Sequence, residues 1–231
     1  MLFYGVPHGC SFGSIVALEW LGQPYRLGRI DMLSPSRSEA FSKISPLGAT
    51  PALLMEDGEA LTESLAILQN IAKRDLGKRL GFAQDTREFD RLNRVLSFLH
   101  TDFHSAFASA WSAYKLAEDD PRREVLRELA RDKAARCYSH LQEMIAGKEW
   151  LMGDTKTVAD AYFVGIARWG EDLGLFDLNS EYPRLYEYKQ RLEADKGVIF
   201  AHAIEDGEPA QSSGGFLGHV DLDTIGSRLA A

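Results

Sequence analysis

A cysteine near the start of the chain is the first candidate for chemistry. Cys10 lies in the segment His8-Gly9-Cys10-Ser11, between a predicted strand and the first turn of a predicted helix. Amide groups at the start of a helix stabilise a thiolate, so we expect a lowered thiol pKa and a better nucleophile. Because position 13 is glycine rather than cysteine, the pattern predicts a monothiol. A small buried side chain without chemistry is an equal alternative.

Two further segments could bind an extended, peptide-like ligand. A cis bond between Thr50 and Pro51 would turn the backbone of Thr50 toward the first helix, where its amide and carbonyl are free to pair. Ser64 begins a predicted helix, whose first amides suit a carboxylate, and Glu63 beside it suits an ammonium group. Together they could bind both halves of an α-amino acid. For the Thr50–Pro51 segment the alternative is an ordinary trans proline in an edge strand. For Ser64 the alternative is a helix cap, and for Glu63 it is a solvated acid.

Two histidines lie one helical turn apart, at His100 and His104. The residues between them do not complete a metal-binding motif, so we expect no metal and place His104 at the wall of a cleft. The sequence has no glycine-rich phosphate loop, no Gly-x-Ser-x-Gly segment and no zinc-ligand spacing.

The second cysteine, Cys137, falls in the apolar stripe of a predicted helix, which favours a core position. Two cysteines cannot form a disulfide framework and indicate a reducing, cytoplasmic location.

The elements that must position these residues change in type near residue 80. Hydrophobic periodicity over residues 1–76 predicts an α+β domain with the order β-α-β-α-β-β-α, in which Asp57-Gly58 turns a hairpin. Residues 75–86 form a predicted linker. An all-α helical bundle is expected over residues 86–196, beginning with one long helix over residues 87–115. A capping box at Thr157-Val158-Ala159-Asp160 begins a later, largely apolar helix.

Residues 197–231 form a predicted C-terminal extension. Glycine, serine and aspartate cluster at 206–215, but apolar residues such as Phe216 and Val220 follow them. A disordered tail is usually poorer in such residues, so we expect the extension to dock on the body of the protein. An exposed tail is an equal alternative.

Composition limits the classes of partner. The 231 residues include 26 basic and 34 acidic side chains, a net charge of −8. This balance argues against a nucleic acid or an anionic membrane as the main partner, because both attract dense basic patches. No window has the roughly 18 apolar residues that a membrane span requires. The first five residues predict a strand rather than an export signal.

Taken together, these segments resemble the glutathione S-transferase family over about residues 1–195. The resemblance is carried by the β-α-β-α-β-β-α order, by Gly-x-Thr-Pro-Ala-Leu at 48–53, by Asp57-Gly58 followed by Leu61-Thr62-Glu63-Ser64, and by the box at 157–160. It implies a thioredoxin-like N-terminal domain, an all-α C-terminal domain and a homodimer. It also implies glutathione as co-substrate and a role in detoxification.

Within the family, Phe-Tyr-x-x-Pro-x-x-Cys-Ser at residues 3–11 resembles the bacterial beta class. That resemblance implies that Cys10 lies at the sulfur of glutathione, with Ser11 as the alternative. The γ-glutamyl end would bind Glu63 and Ser64. The cysteinyl unit would pair with the backbone of Thr50, before Pro51.

The second half of the chain supplies the other side of the implied site. His104 matches the histidine of a His-Lys pair in the beta class, and Ser105 replaces the lysine. Arg37 is the suggested basic residue after the second strand. Phe107 and Trp111 are expected to wall a pocket for an apolar or aromatic electrophile, and plain core packing is an equal alternative for both.

Two classes of function follow from this reading. The first is an enzyme that transfers the glutathione thiolate to an electrophile, or that carries out glutathione-dependent thiol–disulfide chemistry at Cys10. The alternative is a non-catalytic binding or regulatory protein on the same scaffold, since a fold does not fix a function. The C-terminal extension could cover part of the acceptor site.

Overall fold

A mixed β-sheet forms the centre of the N-terminal part. A computed structural model describes residues 1–34, 39–78 and 80–222. Within these ranges the strands are β1 (Leu2–Val6), β2 (Tyr25–Asp31), β3 (Ala52–Leu54), β4 (Ala60–Thr62) and β5 (Phe216–His219). Their order in the sheet is β4-β3-β1-β2-β5. β1 pairs parallel with β2 and antiparallel with β3, while β4 pairs antiparallel with β3.

Helices cover the sheet and build the C-terminal part. Those of the N-terminal part are α1 (Phe12–Leu21), α2 (Glu39–Ile44) and α3 (Ser64–Lys73). Those that follow are α4 (Arg87–Phe98), α5 (Ala108–Tyr114), α6 (Arg122–Met144), α7 (Val158–Ala167), α8 (Trp169–Asp172), α9 (Leu178–Glu181), α10 (Pro183–Glu193) and α11 (Lys196–Asp206). The predicted β-α-β-α-β-β-α order and the helical second part are confirmed.

Helix α1 lies against both parts of the chain, packing on α3, α7 and α11. Its contact with α7 is a direct approach of two backbones. A Cβ atom added to Gly13 would lie 2.7 Å from the carbonyl oxygen of Ala161, and one added to Gly165 would lie 3.0 Å from the amide nitrogen of Gly13. Small residues at this crossing therefore hold the start of α1, with Cys10 just before it, close to α7.

The prediction of one continuous helix over residues 87–115 is wrong. Helix α4 ends at Phe98, a π-helical turn covers Leu99–His104, and α5 begins only at Ala108. The hydroxyl of Thr101 donates to the carbonyl of Ser97 at 2.5 Å, and that of Ser105 donates to the carbonyl of Asp102 at 3.2 Å. Such side-chain bonds compete with the helical ladder and bend it. Single π turns are frequent at functional sites.

Helix α7 begins at a buried carboxylate. Asp160 accepts hydrogen bonds from the backbone amides of Leu151 and Thr157, at 2.9 and 2.6 Å, and from the Thr157 hydroxyl at 3.1 Å. The hydroxyl of Tyr188 donates to the same carboxylate. The predicted capping box is thus confirmed, and it joins α7 to the preceding loop and to α10.

The described part of the extension docks on the N-terminal sheet. β5 pairs parallel with β2, and the buried carboxylate of Glu19 accepts from the Ser212 hydroxyl at 2.7 Å and the Ser213 amide at 2.9 Å. The Ser212 hydroxyl in turn accepts from the Phe216 amide at 3.2 Å. Docking is therefore the correct alternative for residues 197–222. This edge of the sheet is remote from β3 and β4, so the described part of the extension does not cover the side on which Thr50 lies.

We expect Asp160→Ala to lower the free energy of unfolding by roughly 3 kcal/mol, because it leaves buried amides and a tyrosine hydroxyl without their acceptor. Urea denaturation of the full chain measures this effect. Asp132, an exposed acid on α6, supplies the matched control, and Asp132→Ala should unfold like the unsubstituted protein. Equal midpoints for both variants would contradict the role given to the cap.

Candidate glutathione site

A cavity of about 160 Å³ lies beside Cys10, between the N-terminal sheet and the π turn. The predicted residues that the structure brings together along its wall are Cys10, Thr50, Pro51, Glu63, Ser64 and His104. His100 lines the same cavity. Residues from separate parts of the chain thus meet around one space.

The Thr50–Pro51 peptide bond is cis, as expected, and so is the Val6–Pro7 bond, which the sequence did not indicate. The thiol of Cys10 donates a hydrogen bond to the carbonyl oxygen of Thr50, at 3.2 Å. The backbone of Thr50 therefore faces the cavity next to the sulfur.

The start of α3 presents an acid and a set of amides to the cavity. Glu63 precedes the helix with a φ of 71°, a left-handed conformation that is uncommon outside glycine and clusters at functional sites. Its side chain is 64% exposed, so the carboxylate is open to a ligand. Ser64 is buried, and its hydroxyl donates to the sulfur of Cys10 at 3.8 Å.

The predicted lowering of the Cys10 pKa is wrong. Burial raises the pKa of this thiol to about 11, and the negative charges of Glu205 and Glu63 add to the effect. A hydrogen bond from the Ser64 hydroxyl and one from the backbone amide of Cys10 lower the pKa, but burial outweighs them. Near neutral pH Cys10 is therefore a thiol that can donate a hydrogen bond.

Ser11 does not reach the cavity. Its side chain is fully buried, and its hydroxyl accepts a hydrogen bond from the backbone amide of Gly5 at 3.0 Å. The hydroxyl thus ties the loop before α1 to strand β1. The contact between Ser11 and Gly5 is therefore a structural one.

The predicted acceptor residues belong to an aromatic cluster rather than to the cavity wall. Phe107 is fully buried and packs edge-on against Trp169, with ring centroids 5.7 Å apart. Trp111 is half-buried and packs against Trp169 at 5.2 Å. For Phe107 the core-packing alternative is therefore correct.

A clamp from the C-terminal part fixes the loop that carries Cys10. The indole of Trp169 donates to the carbonyl of His8 at 2.9 Å, and Arg168 donates to the carbonyl of Gly9 at 3.3 Å. Arg168 also forms a buried ion pair with Glu205 at 2.7 Å. No local pattern predicts this clamp, because its members are far apart along the chain.

Tyr162, on α7, connects the two histidines. Its hydroxyl lies 3.1 Å from Nδ1 of His100 and 3.2 Å from Nδ1 of His104. Burial, together with the neighbouring His100, lowers the pKa of His104 to about 4, so His104 is neutral near pH 7. Sequence reasoning placed Tyr162 among the core residues of an apolar helix and missed its polar contact.

Positive charge is scarce around this cavity. Ser105, which stands where the beta class has lysine, is exposed and bonds back to its own helix. Neither lysine nor arginine lines the cavity among the described residues. Arg37 lies outside the described residues. The described ranges also contain no group of three metal-ligating side chains, and none of their helices could cross a membrane.

Comparison with known proteins agrees with this architecture. The family model for the glutathione S-transferase N-terminal domain matches residues 10–74, and that for the C-terminal domain matches residues 103–196. The chain is 32% identical to glutathione S-transferase GST-4.5 of Xanthomonas campestris pv. campestris, over 89% of this chain and 98% of the relative. The chain therefore belongs to the glutathione S-transferase family.

Solved structures of bacterial relatives share the fold. A sphingomonad glutathione S-transferase complexed with glutathione superposes with a TM-score of 0.78 at 28% identity, covering 89% of this chain and 98% of that one. A beta-class glutathione S-transferase of Sphingomonas chungbukensis gives 0.77 at 28% identity, covering 88% and 98%. The resemblance to the bacterial beta class is thus supported by structure as well as sequence.

The low pKa of His104 predicts a specific loss of stability in acid. An unfolded histidine titrates near 6.5, so between about pH 6.5 and 4 the unfolded chain binds a proton that the folded chain refuses. Stability therefore falls as pH falls through this window, by about 3 kcal/mol from this residue.

Denaturation of His104→Gln at pH 7 and pH 4 measures this contribution. The variant should lose about 3 kcal/mol less than the unsubstituted protein over that interval. His140 is an exposed histidine on α6, and His140→Gln is the matched control. If the free energy of unfolding changes with pH by the same amount in His104→Gln and in the unsubstituted protein, the assignment of a neutral, buried imidazole is refuted.

Proposed function

We propose that this chain is a glutathione transferase that conjugates the thiolate of glutathione to an apolar or aromatic electrophile. The convergence of the Cys10 thiol, the Thr50 backbone and the Glu63 carboxylate in one cavity carries this proposal. Membership of the family supports it, as does the sphingomonad relative, which was solved with glutathione bound. The relatives do not favour the alternative of a non-catalytic binding protein.

The geometry suits an extended tripeptide. The exposed carboxylate of Glu63 would pair with the ammonium group of the γ-glutamyl end, and the free amides at the start of α3, beside Ser64, would bind its carboxylate. The backbone of Thr50, before Pro51, would pair with the cysteinyl unit. The glutathione sulfur would then lie between Cys10 and His104.

The raised pKa of Cys10 favours conjugation over chemistry at the cysteine itself. A thiol that keeps its proton is a poor nucleophile but can donate a hydrogen bond to a neighbouring thiolate. Donors held in place around developing negative charge are an effective source of catalysis. On binding, the S–H group of Cys10 would turn from the Thr50 carbonyl, which the cysteinyl unit would then occupy, toward the glutathione sulfur. Cys10 would thus stabilise the glutathione thiolate, which attacks the electrophile and forms the new carbon–sulfur bond as the leaving group departs.

The remaining features of the proposal concern the partner and the assembly. Of the two predicted acceptor residues, only Trp111 keeps exposed surface for an aromatic electrophile. We propose that the chain works as a cytoplasmic homodimer in detoxification, without a metal. Proteins of this family are generally dimers, which supports the proposed assembly, and light scattering of the purified chain tests it.

Substitutions at Cys10 test the role of its thiol as a donor. Cys10→Ser keeps a donor and should retain turnover with chlorodinitrobenzene, whereas Cys10→Ala should reduce kcat/KM about tenfold or more, the value of one hydrogen bond to a charged group. A nucleophilic role predicts instead that both variants fail alike. Unchanged turnover in Cys10→Ala would remove Cys10 from the reaction.

Substitution of Glu63 tests the binding of the γ-glutamyl end. We expect Glu63→Gln to raise the dissociation constant of glutathione about tenfold, because an ion pair with the ammonium group is lost. Isothermal titration calorimetry measures this change. Glu59→Gln, at an exposed acid in the β3–β4 turn, is the matched control. An absence of glutathione binding to the unsubstituted protein would overturn the proposed function altogether.

A further inference from the structure

A buried tyrosine hydroxyl lies between two histidines at the wall of the cavity. Tyr162 is fully buried, and its oxygen is within hydrogen-bonding distance of Nδ1 of both His100 and His104. A hydroxyl group has a single proton, so it can donate to only one of these nitrogens. For both contacts to be hydrogen bonds, the other nitrogen must carry a proton and donate to the tyrosine oxygen. The two imidazoles, when neutral, are therefore held in opposite tautomers.

Glu63 biases the direction in which the chain of hydrogen bonds runs. Its carboxylate oxygen lies 3.9 Å from Nε2 of His100, which is too far for a hydrogen bond, but its negative charge favours the tautomer whose N–H group faces it. With that proton on Nε2, Nδ1 of His100 is the acceptor for the hydroxyl of Tyr162. The tyrosine oxygen then accepts from Nδ1 of His104.

The consequence appears at the opposite side of the His104 ring. With Nδ1 protonated, a neutral His104 has its lone pair on Nε2. None of the described residues forms a hydrogen bond with Nε2, and His104 lines the cavity beside Cys10. A proton acceptor is thus left open at the place where the glutathione sulfur would lie.

We propose that Tyr162 and His100 are positioning residues that fix the tautomer of His104, so that Nε2 of His104 accepts the thiol proton of glutathione. This inference rests on the proposed function. In the step, the S–H bond breaks, an N–H bond forms at Nε2, and sulfur keeps the electron pair. His104 becomes an imidazolium beside the thiolate, and it releases the proton to solvent after the electrophile has reacted.

The groups that face this imidazole are consistent with the step. The titratable side chains around it are Cys10, Glu63, His100 and Tyr162. Neither lysine nor arginine among the described residues lines the cavity to repel an imidazolium, and the carboxylate of Glu63 is the nearby anion. Burial disfavours an isolated imidazolium, and the new thiolate supplies an opposite charge that raises the pKa of His104 as the proton is transferred.

The tautomers can be read directly by long-range hydrogen–nitrogen NMR of the full chain, with labelled histidine and no ligand. We expect His104 to carry its proton on Nδ1 and His100 to carry its proton on Nε2. In Tyr162→Phe, His104 should move toward the Nε2–H form that isolated histidine favours. The matched control is Tyr138→Phe, because the Tyr138 hydroxyl is also buried but donates to the carbonyl of Ala167. It should leave both tautomers unchanged.

Kinetics supply a second measurement. Tyr162→Phe should lower kcat at least about tenfold with little change in the KM for glutathione, and should shift the pH profile of kcat. If Tyr162→Phe does not fold, His100→Phe breaks the same chain from its other end. It should also move His104 toward the Nε2–H form, since Tyr162 can then donate to Nδ1.

Two results would overturn the inference. One is an Nε2–H tautomer of His104 in the unsubstituted protein, and the other is an unchanged tautomer in both Tyr162→Phe and His100→Phe. Isothermal titration calorimetry with glutathione distinguishes a failure of this inference from a failure of the proposed function. Reversed tautomers with normal glutathione binding and turnover would reject the positioning role alone. The expected tautomers in a chain that does not bind glutathione would support the hydrogen-bond chain but reject its use on a glutathione thiol.

Discussion

The whole site depends on how the loop before α1 is held against the end of α7. Two backbone carbonyls in this loop face the interior, and buried carbonyls require donors. Trp169 and Arg168 supply these donors to His8 and Gly9, and the buried pair of Arg168 with Glu205 orients the guanidinium. The sulfur of Cys10 therefore has a position that is set by the C-terminal part as much as by its own helix.

The cavity that results relies on hydrogen bonds more than on positive charge. The thiol of Cys10 is held between the Thr50 carbonyl and the Ser64 hydroxyl, and His104 is neutral because it is buried. A glutathione thiol brought into this space would meet neutral donors and acceptors that the surrounding structure holds in place. Such preorganisation avoids the reorganisation that water molecules would need around a new charge. The site therefore retains a means of catalysis although Ser105 stands in the place of the lysine.

Local patterns predicted the order of the elements, the segment before Pro51 and the acid–serine pair at the start of α3. Each of these depends on a few neighbouring residues, such as Asp57-Gly58 at the hairpin. The polar contact of Tyr162 and the clamp formed by Arg168 and Trp169 escaped prediction because both depend on contacts between distant parts of the chain. The pKa of Cys10 was predicted in the wrong direction for a related reason: the helix effect is visible in the sequence, whereas the burial that outweighs it arises only when α7 and the cavity wall come together.

The pairing of β5 with β2 has a consequence for how copies of this chain meet one another. An open strand edge displays unpaired amides and carbonyls, to which strands of other molecules can add. Here the amide of Tyr25 donates to Gly215, and that of Val220 donates to Leu27. The last described segment thus occupies hydrogen-bonding positions that a foreign strand could otherwise use, and a chain shortened before Ser212 would offer β2 as a template for aggregation.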